Sequence, residues 1–154
     1  MTTAPAIRRA TGSDLAALLP LCVEHATYER IGHALGDRAD ALASALDADP
    51  PSVRAWMAWI DGQAVAYATA TIDFSTLEAA TFLHMDCLYV REAWRGRGVG
   101  LRLLETLRAF AGSCGCSAMQ WQTPAWNEQA AHFYRRLGAD EKPKQRFTLM
   151  LDRG

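Results

Sequence analysis

The stretch Arg95-Gly96-Arg97-Gly98-Val99-Gly100 combines the features that hold a pyrophosphate. Its glycines let the backbone turn tightly and aim several N–H groups at one point. An amphipathic run begins at Gly98, so unpaired amides and the positive end of a helix dipole add to the loop. Arg95 and Arg97 supply full charges. The glycines alone would equally suit a plain strand-to-helix connection. A Walker loop requires Gly-Lys-Ser/Thr, and no such triplet follows. A dinucleotide fingerprint is Gly-x-Gly-x-x-Gly in the first strand–helix turn. Here Gly96, Gly98 and Gly100 are evenly spaced and lie late in the chain.

Other side chains have chemical reach. Asp86 lies in a run of mostly apolar residues, where a bare carboxylate is costly unless a neighbouring donor or a cationic ligand compensates it. His84 shares its strand parity, and Cys87 follows it as a candidate nucleophile with no evident triad. Glu29 falls at a helix end, where the dipole disfavours an anion, and also reads as a solvated surface acid. Asn127 opens the last helix as an N-cap. Tyr134, beside Phe133, either packs as a core aromatic or offers a phenol for proton transfer.

The elements that must position these groups follow from periodicity. Ile7 to Ala10 reads as a first strand, with Ser13 as the N-cap of a helix through Leu15, Leu18, Leu19, Cys22, Val23 and Ala26. Pro20 interrupts that helix, since it has no N–H to donate. A second helix spans Arg38 to Ala48, with Leu42 and Leu46 inward and Pro50-Pro51 beyond. Val53 to Ile60 and Ala64 to Ile72 are strands joined by Asp61-Gly62-Gln63, a hairpin signal. Phe82 to Val90, Gly98 to Ala111 and Ala118 to Thr123 form a strand–helix–strand crossover, which implies a parallel pair. Asn127 to Leu137 is a helix stopped by Gly138, and Arg146 to Leu151 is a last strand. The expected class is α+β, or mixed α/β: a central, mostly antiparallel sheet flanked by about four helices in one domain over residues 1–154.

Composition narrows the function. The chain has 154 residues, half hydrophobic, with a formal net charge of −1 and no basic run, so nucleic-acid binding is not its main task. No stretch is apolar enough to span a bilayer. Met1 to Ala10 lacks the apolar core of a signal peptide and carries Arg8 and Arg9, so a cytoplasmic location is expected. Cys22, Cys87, Cys114 and Cys116 read as reduced thiols; Cys114-Gly115-Cys116 is too tight for a zinc knuckle, and no metal is expected.

Leu88-Tyr89-Val90 followed by Arg95-x-x-Gly98-x-Gly100 resembles the acyl-CoA loop of the GNAT superfamily. Trp126-Asn127-Glu128-x-x-Ala131-x-Phe133-Tyr134-x-x-Leu137-Gly138 resembles that family's second motif at the expected distance. The segment Leu83 to Gly138, and Ala26-Thr27-Tyr28-Glu29, are similar to spermidine/spermine and thialysine acetyltransferases. The resemblance implies the GNAT acyltransferase fold, acetyl-CoA as co-substrate and, as in similar proteins, a homodimer. It implies that amides of Gly96, Arg97, Gly98, Val99, Gly100 and Leu101 hold the CoA pyrophosphate, aided by Arg95. Arg135 and Arg136 either reach the CoA phosphates or are solvated helix charges. It implies that the backbone of Leu88, Tyr89 and Val90 pairs with the pantetheine arm, which Asn127 also meets. The physics agrees, because a splayed strand edge has N–H and C=O groups for an amide-containing ligand.

Under the same resemblance Tyr134 is the general acid for the leaving thiolate, and Asp86 is the base or amine-binding group. Similar polyamine enzymes place a Glu at the matching position; Asp86 is one carbon shorter, and a bridging water makes up the reach. Tyr28 and Glu29 match residues that line the amine site. The expected reaction is direct transfer, in a ternary complex, to a primary amine of a small molecule: a diamine, polyamine or lysine-like amine. Lys142, Lys144 and Arg146 are basic where acids would surround a polycation, which disfavours spermine and leaves amino acids and aminoglycosides open. The rivals are acetylation of a protein N-terminus, a covalent route through Cys87 and a non-catalytic acetyl-CoA sensor.

Overall fold

A computed structural model describes residues 3–32, 35 and 37–152. The chain divides into two compact units, Met1–Gln122 and Thr123–Gly154. In the first unit the elements run β1 (Ala6–Ala10), α1 (Leu15–Tyr28), α2 (Ala39–Asp47), β2 (Arg54–Ile60), β3 (Gln63–Ser75), β4 (Ala80–Val90), α3 (Val99–Ser113) and β5 (Ala118–Trp121). The strands form one sheet in the order β1-β2-β3-β4-β5. Neighbours are antiparallel except β4 and β5, the parallel pair joined through α3 as the crossover pattern predicts.

Local chemistry explains most boundaries. Asp61 and Gly62 both take positive φ (50° and 77°), the conformation that a two-residue hairpin turn requires. The first helical turn is capped by Thr11 rather than by Ser13. Thr11 Oγ1 accepts from the Ser13 amide and Asp14 Oδ2 accepts from the Thr11 amide, a reciprocal cap on a 3-10 turn that precedes α1. α1 continues through Pro20. Leu18 and Leu21 of α1 pack with Leu46 of α2 against Met57, Tyr67 and Tyr89 of the sheet. α3 packs on β3 and β4, with Val99, Leu103 and Leu107 fully buried. Each such leucine contributes about 1.5–3 kcal/mol by leaving water.

The second unit contains α4 (Glu128–Arg136). Leu137 ends it and Gly138 follows at φ 87°, with the Gly138 amide on the Arg135 carbonyl and the Ala139 amide on the Tyr134 carbonyl. One expectation fails. Arg146 to Leu151 forms no strand, and Phe147, Leu149, Met150 and Leu151 are exposed. The segment has strand-like residue types, but β propensity reports fit to a half-buried pleated surface, and no ladder among the described residues supplies one.

Candidate active site

β4 changes character at Asp86. Thr69 pairs with Cys87 and Ala70 with Met85, so Asp86 is the extra residue of a β-bulge. β5 pairs only with Phe82 to Met85 and stops at the same place. From Cys87 to Val90 the ladder to β3 resumes, while among the described residues no strand pairs with the other edge. An unpaired edge presents amides and carbonyls to an extended ligand. Leu88, Tyr89 and Val90, expected to meet pantetheine, lie along that stretch.

Asp86, at the bulge, is exposed. The apolar run predicts a costly carboxylate, yet the Asp86 side chain is 62% exposed, so water solvates it. His84 Nε2 lies 4.0 Å from Asp86 Oδ1, and the Cys87 thiol donates to Asp86 Oδ2 at 3.7 Å. Burial first, and then the Asp86 charge, push the Cys87 thiol up to about 12. A thiol held there is protonated at neutral pH, which argues against a covalent acyl-cysteine.

The C-terminal end of α1 faces this half of β4. His25 is buried, with its Nδ1 2.6 Å from the Tyr67 hydroxyl and its Nε2 3.3 Å from Glu29 Oε1. Its ring stacks on Tyr89 at 5.2 Å between centroids. Burial pulls the imidazole below its ordinary value, against the opposing pull of Glu29 and of the Asp86 charge. Glu29 thus meets a histidine that sequence reasoning passed over, Tyr28 lies 6.2 Å from Tyr89 between ring centroids, and the Asp86 charge is felt at His25. Its one signal was the four-residue spacing to Glu29, which places both on the same helix face. Nearby, Arg91 grips Glu24 through Nε and Nη2 (3.0 and 2.8 Å to Oε2) and donates Nη1 to the Ala64 carbonyl, tying α1 to the end of β4.

The loop residues separate into two kinds. Gly96 and Gly98 have φ of 74° and 81°, and a Cβ at either would meet open space, so backbone conformation rather than crowding demands glycine. Gly98 is the N-cap of α3 and has no side chain to occupy the helix end. The Arg102 amide is bonded to the Gly98 carbonyl, which leaves the amides of Val99, Gly100 and Leu101 ahead of the helical ladder. This donor set fits a pyrophosphate. Both arginines also have contacts within the protein. Arg95 donates Nε to the Val90 carbonyl at 2.8 Å, with its guanidinium over Tyr28 (4.8 Å) and Tyr89 (5.5 Å). Arg97 lies over Trp94 at 5.0 Å.

In the second unit Asn127 is buried, and its Oδ1 accepts from the Ala130 amide at 3.2 Å, which makes it the cap of α4. The Tyr134 ring lies 5.4 Å from Phe133. Arg135 is engaged by Glu141 (3.2 and 3.1 Å) and Glu128 (3.5 Å), and its charge is already met by carboxylates. Among the described residues no group of three or more His, Cys, Asp or Glu side chains is placed to hold a metal ion, and no helix is long and apolar enough to cross a membrane.

Comparison with known proteins bears on the family and the fold. Residues 21–139 match the model of the acetyltransferase (GNAT) family. The chain is 26% identical over 143 residues to the thialysine N-epsilon-acetyltransferase of Bos taurus, across 88% of this chain and 84% of that protein. It is 27% identical to the human spermidine/spermine N(1)-acetyltransferase-like protein 1, across 86% of this chain and 20% of that longer protein. Among solved structures, the aminoglycoside acetyltransferase AAC(6')-Iy in complex with a CoA bisubstrate analogue superposes with a TM-score of 0.82 at 22% identity, covering 97% of this chain and all of that one. An aminoglycoside acetyltransferase from a soil metagenome gives a TM-score of 0.82 at 17% identity over 96% of this chain and 97% of that one. These likenesses show the fold.

Proposed function

The chain belongs to the acetyltransferase (GNAT) family of acetyl-CoA-dependent enzymes, and from that premise we propose that it acetylates a primary amine of a small molecule, of the diamine, polyamine or lysine-like class. The observation that carries the reading is the opening of β4 at the Asp86 bulge: an unpaired strand edge, a solvated carboxylate and the end of α1 meet at one place. The names of the relatives, thialysine and spermidine/spermine acetyltransferases, favour a small cationic amine over a protein N-terminus.

Acetyl-CoA supplies the thioester. Amides of Gly96 to Leu101 would hold its pyrophosphate, and the backbone of Leu88 to Val90 would pair with its pantetheine arm, where an N–H also opposes the oxyanion. Asn127 would meet the same arm. Asp86, directly or through a water, takes the acceptor's proton and so makes the amine a nucleophile, and Tyr134 protonates the departing sulfur. Holding amine and thioester together supplies much of the remaining rate. Tyr28 and Glu29 line the amine side. We read residues 1–154 as one catalytic domain that works in the cytoplasm as a homodimer.

Thiol release from acetyl-CoA, measured across diamines, polyamines, lysine analogues, amino acids, aminoglycosides and an N-terminal peptide, tests the reading. Turnover on one amine class, reduced about 10²-fold in Tyr134→Phe, is the expected result. Acetyl-CoA binding with no transfer to any amine would instead point to a sensor. Absence of both binding and transfer would overturn the reading.

A further inference from the structure

We propose that His25, fixed by Tyr67, positions the Glu29 carboxylate to receive the acceptor's ammonium group, and that proton removal is thereby left to Asp86. The proposal rests on the amine-acetyltransferase reading above and divides the labour between its two carboxylates.

The argument begins with hydrogen-bond direction. A neutral imidazole has one donor and one acceptor nitrogen. Nε2 of His25 lies 3.3 Å from Glu29 Oε1, and a carboxylate charge at that distance favours an N–H over a lone pair, so Nε2 carries the hydrogen. Nδ1 must then accept, and the Tyr67 hydroxyl, 2.6 Å away, must donate. Tyr67 is buried and its phenol is pushed far up by desolvation and by the neighbouring Cys87 and Cys22, so it keeps its proton. Every hydrogen in the row Tyr67–His25–Glu29 therefore points toward the carboxylate.

A row with that polarity cannot drain a proton from Glu29, because Nε2 is already occupied. What it does is hold Oε1 in place. The burial of His25, its stacking on Tyr89 and the strand position of Tyr67 make the row stiff. Glu29 is also the C-terminal cap of α1, and its side chain is 24% exposed. A carboxylate at the negative end of a helix is disfavoured. The His25 N–H offsets part of that cost, and an arriving ammonium offsets more while gaining from both the carboxylate and the helix end.

Asp86 contrasts with Glu29 on each point. It is 62% exposed, its histidine neighbour stands off at 4.0 Å, and its nearest donor is the weak Cys87 thiol. Its charge is nonetheless felt at His25. The held carboxylate suits cation binding, and the loosely held one suits proton transfer.

The test uses the full chain and the best amine from the panel. His25→Leu should raise the amine KM about tenfold, the effect of losing one polar contact to a charged carboxylate, with kcat and the acetyl-CoA KM little changed. His25→Gln, whose amide nitrogen can take the place of Nε2, should recover most of the loss. His25→Asn, whose amide reaches only the Nδ1 position, should not. Tyr67→Phe should fall between wild type and His25→Leu, and it covers the case in which His25→Leu fails to fold. An unchanged amine KM in a folded His25→Leu overturns the proposal, as does a loss confined to kcat. If wild type binds an amine calorimetrically without turning it over, the transfer reading falls, and the ratio of amine Kd values judges the proposal in place of KM. If no amine binds, both are overturned.

Discussion

The halves of β4 contain similar residues and do different work. Ala80 to Met85 is paired with β3 on one edge and, from Phe82, with β5 on the other, and its Leu83 and Met85 are buried. Asp86 to Val90 keeps β3 but has no β5 partner, and the bulge at Asp86 marks the change. Around the second half stand His25, Tyr28, Glu29, Tyr67 and Arg95; around the first stand mainly the groups that hold the sheet together. A strand can thus supply a core and a binding edge if its ladder is interrupted once. The strand changes role where β5 ends and the β3 ladder bulges, and a solvated carboxylate stands at that point.

The difference can be attacked from either side. The largest effect is expected in the open half. Asp86→Asn keeps size and exposure but cannot take a proton. It should lower kcat by about 10²–10⁴, with stability changed by less than about 0.5 kcal/mol, since the side chain is a solvated surface group. Steady-state kinetics and a thermal melt on the same sample check both parts. A kcat within threefold of wild type would remove Asp86 from the chemistry.

The paired half should respond in the opposite way. Leu83 is fully buried, and Leu83→Ala leaves a cavity that costs about 2–5 kcal/mol, visible as a lower Tm and an earlier denaturation midpoint. Its folded fraction should turn over at nearly the wild-type rate. If Leu83→Ala instead lowers the rate with little loss of stability, the two halves are not separate in function.

Sequence reasoning reached the parts of the site that depend on local backbone chemistry. Gly96 and Gly98 were legible because only glycine readily takes their positive φ, and Asp61-Gly62 because a tight hairpin needs the same conformation. It did not reach features set by partners distant in the chain. His25 is one histidine in an apolar helix until Tyr67, 42 residues away, is placed against it. The bulge at Asp86 depends on the register with β3, which no periodicity specifies, so the carboxylate was expected in an apolar setting and lies in water instead. Thr11 and Ser13 are both good caps, and a 3-10 turn decided between them. Arg95 has the right charge for a phosphate, but its contacts with the Val90 carbonyl and two tyrosine rings could not be read from that charge. Arg146 to Leu151 shows the same limit from the other side: its residue types suit a strand, but a strand exists only where another pairs with it.

The smallest effect expected is a pH dependence of stability that originates in the open half. His25 faces Glu29 on its own helix, Tyr67 on β3 and Asp86 and Tyr89 on β4, and burial outweighs the two carboxylates to leave its folded-state value below 6.5. The unfolded chain binds a proton at about 6.5 that the folded protein still refuses. Between that pH and the lower folded value the unfolded state carries more protons, so stability is fully present above about 6.5 and declines as pH falls through the folded value. Denaturation midpoints at a series of pH values should show this decline in wild type, superimposed on the general effect of acid on carboxylates. His25→Gln cannot titrate there and should flatten the part between pH 6.5 and the folded value of His25, while Leu83→Ala should lower the whole curve without changing its shape. An equal slope in wild type and His25→Gln would mean that the histidine is not held neutral by its surroundings. The direction of the hydrogen bonds through it would then have to be read the other way.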